Sequence, residues 1–224
     1  MYANSRTIDS AQSGPHEKLT ALVLRHRDAP FRKPIAASSQ AAFDDVMAQW
    51  DGRAPVLLDA GCGVGWSTLK LARLYPDHFV LGVDQSEDRL SRGKPEAVPL
   101  NAFFARADLV DFWRLLLQAG IHLDRHYLLY PNPWPKIGHL PRRWHGSPVF
   151  PSMIELGGRL ECRSNWGIYV EELALAIGLL RGKVPLSERL DVIADVGDAL
   201  TPFERKYRDS GQGLYRLVAD LKAK

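Results

Sequence analysis

The sequence predicts an α/β fold in which helices cover both faces of a mostly parallel sheet. Short apolar runs alternate with segments of helical periodicity from Val56 onward, as in chains built from repeated strand–helix units. A glycine-rich turn also follows the first of these runs directly and opens a helical segment. A length of 224 residues suits one such domain. We therefore predict a single domain over residues 17–224, preceded by a polar, flexible leader over residues 1–16.

The predicted strands are the short apolar runs, and the predicted helices have apolar residues at every third or fourth position. Strands are predicted at residues 56–60, 79–83, a segment just before Asp108, 127–130 and 159–163, with further edge strands at 190–196 and 214–221. Helices are predicted at residues 38–50, 67–74, 111–119 and 166–181, while residues 18–26 fit either a helix or a strand.

Composition excludes several classes of protein. The net charge of +3 is too small to indicate nucleic-acid binding by itself. Cys62 and Cys162 are the only cysteines, and their apolar or glycine-flanked surroundings favour reduced thiols over a disulfide framework. No apolar run reaches transmembrane length, and the polar N-terminus lacks the apolar core of a signal peptide. We therefore predict a cytoplasmic protein with no membrane partner.

The most informative segment is the proline-rich loop, residues 130–136, with the sequence Tyr-Pro-Asn-Pro-Trp-Pro-Lys. Prolines at alternating positions prevent both continued sheet pairing and a helix. The segment is therefore predicted to be a rigid loop at the carboxyl end of a strand, where open α/β sheets bind ligands. It holds an amide at Asn132 and an ammonium group at Lys136 in a fixed relation.

The glycine turn predicts a cofactor site. Gly61, Gly63 and Gly65 follow Asp59, and they allow the backbone to approach a ligand closely. An acidic residue, Asp84, ends the next strand, where a carboxylate can accept from both hydroxyls of a ribose, and Gln85 after it is predicted to bind the cofactor too. The spacing G-x-G-x-G differs from the dinucleotide pattern, and Asp59 can accept from a ligand ammonium group. Both points favour S-adenosylmethionine over a dinucleotide.

Asp108, after the third predicted strand, could meet the adenine amino group of that cofactor. It could equally cap the helix that follows, and the two roles are compatible.

Five segments occur in the order found in the bacterial tRNA (guanine-N7-)-methyltransferases, the TrmB family, which this chain resembles from about residue 20 onward. The segments are Leu-Val-Leu-Arg-His-Arg at 22–27, the turn at 59–65, Pro-Asn-Pro-Trp-Pro-Lys at 131–136, Ser-Asn-Trp-Gly-Ile-Tyr at 164–169 and Thr-Pro-Phe-Glu-Arg at 201–205. The resemblance implies a class I methyltransferase fold, S-adenosylmethionine as cofactor, and N7 of a tRNA guanosine as the methyl acceptor. It places Asp59, Asp84, Asp108 and Asn132 at the cofactor pocket, and Lys136, Asn165 and the segment from Thr201 to Glu204 at the guanosine.

The chain departs from that family at three positions. The family usually carries aspartate where this chain has Asn132 and Asn165, and threonine where it has Ser164. Guanine N7 already holds a lone pair, so the transfer needs orientation rather than a general base. Asn132 can supply that orientation, and we predict it as the catalytic residue. A carboxylate, however, can accept from both N1–H and the N2 amino group of guanine, whereas an amide cannot do so with the same strength.

Alternative interpretations of the same residues stay open. Asn132 and the prolines partly match the loop of methyltransferases that act on amino groups, so a small-molecule or protein amine is a second substrate class. A cofactor-binding homologue without turnover is a third. Lys136, Arg142 and Arg143 are predicted to contact phosphate, with simple surface exposure as the alternative for the two arginines, and no metal is predicted beside them. Thr201 and Glu204 also fit a helix capping box. The sequence is compatible with a monomer or a homodimer.

Overall fold

The computed structural model describes residues 5–190 and 198–221 and contains one seven-stranded sheet. The order of the strands is β3-β2-β1-β4-β5-β7-β6. Strands β1 to β5 are parallel, whereas β7 runs antiparallel to both β5 and β6. The predicted α/β class with a mostly parallel sheet is therefore confirmed.

Most elements lie where the apolar periodicity predicts them. The strands are β1 Val56–Ala60, β2 Phe79–Asp84, β3 Ala102–Arg106, β4 Leu123–Leu129, β5 Arg159–Ser164, β6 Ser187–Arg189 and β7 Tyr215–Asp220. The helices are α1 Leu19–Asp28, α2 Ala37–Met47, α3 Trp66–Leu74, α4 Glu87–Ser91, α5 Leu109–Gln118, α6 Phe150–Glu155, α7 Gly167–Arg181 and α8 Pro202–Asp209. Two short 3-10 helices, Ile137–Arg142 and Trp144–Gly146, follow the proline-rich loop.

The C-terminal part of the sheet differs from the prediction in one respect. The predicted edge strand at residues 214–221 exists as β7, but it lies inside the sheet between β5 and β6. The edge on that side is β6, a three-residue strand of exposed polar residues with no apolar pattern. Most of the other predicted edge strand, residues 191–196, lies outside the described residues.

Both faces of the sheet are covered, as predicted. One apolar layer joins Leu58 and Val83 of the sheet to α1, α2, α5, α6 and α7. The other joins Leu57 and Val80 to α3, with Leu200 packed beside it. β1 and β2 are buried along their whole length, as expected for central parallel strands covered on both sides.

Residues 5–16, the described part of the predicted leader, form no helix or strand but are hydrogen-bonded to the rest of the molecule. Ser10 Oγ donates to the Pro135 carbonyl at 2.7 Å, and Gln12 Nε2 donates to Glu172 Oε1 at 2.6 Å. This segment therefore lies against the proline-rich loop. Among the residues that the structure describes, no helix is long and apolar enough to cross a membrane.

Candidate active site

The carboxyl ends of β1 and β4 form the centre of the candidate site. These neighbouring strands are followed by the glycine turn and the proline-rich loop, respectively. The chain leaves β1 toward β2 on one side, and it leaves β4 toward β5 on the other. The order of the strands thus reverses between β1 and β4, and open α/β sheets bind their ligands in the crevice at such a point. The structure therefore brings the two sequence-predicted halves of the site together.

The glycine turn is fixed to β2 by its backbone and open above it. Gly61 and Cys62 donate their N–H groups to the Val83 carbonyl at 2.8 and 3.1 Å. Gly61, Gly63 and Gly65 all have positive φ, at 77°, 58° and 83°, a region that side chains disfavour. A Cβ added at Gly63 would meet no atom within 4 Å, so the space beside Gly63 is free for a ligand, whereas a Cβ at Gly65 would meet the Phe104 ring at 2.6 Å.

Asp59 lies beneath this turn as a buried carboxylate. Ser67 and Thr68 of α3 donate their hydroxyls to its Oδ2 at 2.6 and 2.7 Å. Burial raises the pKa of Asp59 to about 6, against the opposing effect of the two hydroxyls. Among the described residues Asp59 forms no ion pair, so a ligand ammonium group would supply the missing positive charge. The turn and Asp59 together fit the methionine portion of S-adenosylmethionine.

Asp84 lies beside the turn at the end of β2, as predicted. Its Oδ2 accepts from Gly63 N–H at 2.9 Å, and its Oδ1 accepts from Ser86 N–H at 2.8 Å. Arg89 also approaches Oδ1 at 3.1 Å. Each carboxylate oxygen can accept more than one hydrogen bond, so ribose hydroxyls can still be bound. Gln85, which follows in the chain, is exposed.

Asp108 caps a helix, which is one of the two roles that the sequence allows for it. Its Oδ1 accepts from Val110 N–H at 2.9 Å at the start of α5. Its Oδ2 lies 3.3 Å from Lys33 Nζ. The carboxylate is partly exposed and next to the carboxyl end of β3, so contact with an adenine amino group stays a prediction.

The open space above Gly63 predicts a selective effect of a methyl group there. We expect Gly63→Ala to weaken S-adenosylmethionine binding by at least ~tenfold, because the Cβ enters the space that the ligand would occupy. The unfavourable φ adds a stability loss of about 1–2 kcal/mol. Isothermal titration calorimetry measures the affinity, and thermal unfolding measures the stability.

Gly52→Ala is the matched control for that variant. Gly52 also has positive φ, 74°, and open space around its added Cβ, but it precedes β1 and lies at the other end of the strand. It should therefore lose similar stability and retain full affinity. Equal affinities for the two variants would contradict the assignment of the turn.

The proline-rich loop combines backbone strain with one exposed amide. Tyr130 and Trp134 are the two non-glycine residues with positive φ among those described, at 51° and 47°. Such strain persists only where the surroundings enforce it. Asn132 Oδ1 accepts from Trp134 N–H at 3.3 Å, so the amide oxygen is used inside the loop and its NH2 group points elsewhere. Asn132 is exposed.

Arg143 does not occupy the predicted place. It is fully buried, and its guanidinium donates to Glu172 Oε2 at 2.6 Å, to Gln12 Oε1 at 3.0 Å and to the Trp134 carbonyl. Its donors are directed inward, toward α7 and the proline-rich loop. The prediction of a phosphate contact is therefore wrong for Arg143, which instead holds the loop from behind.

Arg142 and Lys136 are exposed, in contrast to Arg143. The Arg142 guanidinium lies over the Trp134 ring, 4.9 Å from its centroid. Both side chains are therefore available for contact with an anionic partner.

The remaining predicted residues lie at the carboxyl end of β5 and on α8. Asn165 is half-buried, and its Nδ2 donates to Gln212 Oε1 at 2.8 Å. Thr201 Oγ1 accepts from Glu204 N–H at 2.9 Å and caps α8. Both oxygens of Glu204 accept from Arg163 Nη1, at 3.0 and 3.1 Å. The capping alternative therefore describes the structural role of the Thr201–Glu204 pair, and their contact with substrate stays a prediction.

Glu172 and Lys94 are two residues near the site that the sequence analysis did not identify. Glu172 lies three positions after Tyr169 in a helix face that is otherwise apolar. A charged residue in such a face indicates a buried ion pair, and this is the feature from which Glu172 could have been found. Lys94 Nζ donates to the Val64 carbonyl at 2.9 Å and so closes the glycine turn from the side. It lies in an irregular segment without a periodic pattern, which is why the sequence did not indicate it.

Comparison with known proteins identifies a matching family model and several similar enzymes. The family model described as "Putative methyltransferase" matches residues 53–217. The tRNA (guanine-N(7)-)-methyltransferase of Chromobacterium violaceum is 26% identical over 207 residues, covering 82% of this chain and 90% of that protein. The enzyme of the same name from Pseudomonas savastanoi pv. phaseolicola is 23% identical over 236 residues, covering 96% and 95%.

Solved structures show the same fold. The 16S rRNA methyltransferase KamB aligns with a TM-score of 0.54 at 19% identity, over 85% of this chain and 96% of that one. The antibiotic-resistance methyltransferase Kmr aligns with a TM-score of 0.53 at 21% identity, over 81% and 93%. The class I methyltransferase fold is thereby confirmed, and with the family match so is S-adenosylmethionine as the cofactor. The chain belongs to the methyltransferase family whose model spans residues 53–217.

Proposed function

We propose that this enzyme transfers a methyl group from S-adenosylmethionine to N7 of a guanosine in tRNA, in the cytoplasm. The observation that carries the proposal is the placement of the proline-rich loop across the crevice from the glycine turn and Asp84. The tRNA (guanine-N(7)-)-methyltransferases similar to this chain extend over most of its length, which supports the choice of acceptor.

The reaction requires little from the protein beyond alignment. The N7 lone pair forms a bond to the methyl carbon while the carbon–sulfur bond breaks, and the positive charge moves from sulfur to the guanine. No proton leaves the acceptor nitrogen, so the transfer needs no general base. A rigid loop that holds the acceptor in line supplies the proximity that such a transfer needs.

The amine alternative fits the loop less well. An amide that activates an amino group must accept a hydrogen bond from it, and the Asn132 oxygen divides its two lone pairs between such a group and Trp134 N–H. The NH2 group of Asn132 has no partner among the described residues, and it can only donate.

The test is incubation of the enzyme with labelled S-adenosylmethionine and unmodified bulk tRNA, followed by nucleoside analysis. We expect label in 7-methylguanosine. Tight cofactor binding without that product would contradict the proposed function and favour a homologue without turnover on tRNA. Label in a methylated amino group of a protein or small molecule would favour the second class.

The exposed basic side chains beside the loop predict a salt-dependent contribution to RNA affinity. We expect Arg142→Ala to lower tRNA affinity and to reduce the slope of log K against log salt by about 1, the amount for one lost phosphate contact. Filter binding over a range of salt concentrations measures that slope. Arg208→Ala on α8 also removes an exposed arginine, and the same slope change there would mean that the effect of Arg142 is not local.

A further inference from the structure

The segment before α1 is hydrogen-bonded to the acceptor half of the site, which the loops after β4 and β5 form. Residues 5–12, the N-terminal strap, contain no helix or strand. Gln212 is buried, and its Nε2 donates to the carbonyls of Ser5 and Arg6 at 2.9 and 3.2 Å. Its Oε1 accepts from Asn165 Nδ2, in the loop after β5, at 2.8 Å. A second attachment is at the proline-rich loop, which follows β4.

The proline-rich loop depends on donors from other segments. Pro131, Pro133 and Pro135 have no N–H group, so the loop can make few hydrogen bonds of its own. Trp134 has a φ of 47°, a conformation that persists only where the surroundings enforce it. Two consecutive carbonyls, those of Trp134 and Pro135, accept hydrogen bonds from side chains outside the loop. These bonds fix the backbone on both sides of the strained peptide unit.

Ser10 of the N-terminal strap supplies one of these donors. Its hydroxyl accepts from Gln12 N–H at 3.1 Å and donates to the Pro135 carbonyl at 2.7 Å. Ser10 is half-buried. The backbone of the strap therefore orients the hydroxyl toward the loop.

Gln12 holds the other donor in place. Arg143 donates to the Trp134 carbonyl from Nε and Nη2, at 3.2 and 3.1 Å. Gln12 Oε1 accepts from Arg143 Nη2 at 3.0 Å, and Gln12 Nε2 donates to Glu172 Oε1 at 2.6 Å. The Gln12 side chain thus joins the strap to both members of the buried ion pair that directs Arg143 at the loop.

The cofactor half of the site is held separately. Asp59 accepts from two hydroxyls of α3, and Asp84 accepts from the N–H groups of Gly63 and Ser86. Among the described residues, no hydrogen bond of the N-terminal strap ends on the glycine turn or on β2. A loss of strap contacts should therefore affect the acceptor half alone.

We propose that Ser10 and Gln12 are positioning residues for methyl transfer. They hold the proline-rich loop in the conformation that aligns the acceptor, and they take no part in binding the cofactor. The transfer depends on alignment, and a misplacement of about 1 Å can cost about 100-fold in rate. The inference rests on the proposed function, since it concerns the same transfer.

The experiment combines Ser10→Ala with Gln12→Ala and measures two constants. We expect kcat for tRNA methylation to fall by at least ~tenfold, because the loop loses one donor and Arg143 loses one acceptor. The Kd for S-adenosylmethionine, measured by calorimetry, should stay within about twofold of the native value, because sites that share no partner act independently. Circular dichroism and thermal unfolding check that the variant is folded.

Single variants separate the hydroxyl of Ser10 from general effects of substitution. Ser10→Ala alone should lower kcat by at least about threefold, whereas Ser10→Thr keeps the hydroxyl and should stay within about twofold of native. Ser13→Ala with Gln118→Ala is the matched control, because it removes the same two kinds of side chain at exposed positions. It should leave both constants at their native values.

Hydrogen exchange reports on the loop independently of any substrate. In the Ser10→Ala, Gln12→Ala variant, amides in a peptide covering residues 130–140 should exchange at least about threefold faster than in the native enzyme. Amides in a peptide covering the glycine turn, residues 56–66, should exchange at the native rate.

The outcomes separate this inference from the proposed function. Methylation of tRNA by the native enzyme with an unchanged kcat in the folded double variant overturns the inference alone. A parallel loss of cofactor affinity also overturns it, because the strap would then support the whole fold. Absence of methyl transfer by the native enzyme overturns the proposed function. Hydrogen exchange then decides whether the strap holds the loop, and equal rates in the native and variant loops would overturn that role too.

Discussion

Glu172→Gln is expected to destabilise the protein by about 3–5 kcal/mol, the usual cost of breaking a buried ion pair from one side. Glu172 and Arg143 are both fully buried, with 2.6 Å between Nη1 and Oε2. His145 Nε2 lies 2.8 Å from the same oxygen, and His16 N–H donates to the other at 2.9 Å. An amide in place of the carboxylate leaves the guanidinium charge buried without a counter-charge. Urea unfolding followed by circular dichroism measures the loss.

Glu171→Gln is the matched control, because its side chain is exposed on the same helix turn. It should change stability by less than about 0.5 kcal/mol, as surface substitutions usually do. If Glu172→Gln cost no more than Glu171→Gln, the buried pair would not hold the loop in place.

The same cluster predicts how stability depends on pH. Burial would raise the pKa of Glu172, but His145 and Arg143 outweigh it and lower that pKa from 4.5 to about 2. A carboxyl with a depressed pKa in the folded state stabilises fully above its unfolded pKa and loses this contribution as pH falls. The native enzyme should therefore lose stability between pH 4.5 and about 2, and this part of the loss should be absent in Glu172→Gln.

Asp84→Asn is expected to weaken S-adenosylmethionine binding about 100-fold, through the loss of charge-assisted hydrogen bonds to the ribose at about 1.5–3 kcal/mol each. The amide has one oxygen where Asp84 uses two, for the N–H groups of Gly63 and Ser86. The substitution therefore also loosens the glycine turn. Calorimetric titration with the cofactor measures the affinity.

Asp88→Asn serves as the control, because Asp88 is exposed and paired with Arg92 at the surface. Its affinity for the cofactor should match that of the native enzyme. An Asp84→Asn variant that binds S-adenosylmethionine within threefold of native affinity would show that this carboxylate does not hold the ribose.

The sequence was sufficient for the parts of the site that depend on local pattern. Gly61, Gly63 and Asp84 follow strands that apolar runs identify, so their position at one edge of the sheet follows from topology. β6 could not be predicted, because Ser187–Arg189 is exposed and has no alternation. The inner position of β7 also depends on tertiary pairing that sequence patterns do not contain.

The neighbours Arg142 and Arg143 show why side-chain roles are harder to predict than strands. They are identical in type and adjacent in sequence, yet one is exposed and the other fully buried. The difference arises from Glu172, which is 29 positions further along the chain, and from the carbonyl of Trp134. Neither partner is marked by local spacing, so the phosphate prediction extended to both arginines.

The hydrogen bonds from Gln212 to Ser5 and Arg6 join residues 207 and 206 positions apart. The bond from Gly63 to Asp84 spans only 21 positions. Contacts of short sequence separation form early, whereas distant ones require the whole intervening chain. During synthesis the cofactor side can therefore assemble while the ribosome is still translating. The hydrogen bond that orients the Asn165 amide needs residue 212, so it can form only after nearly the whole chain has been made.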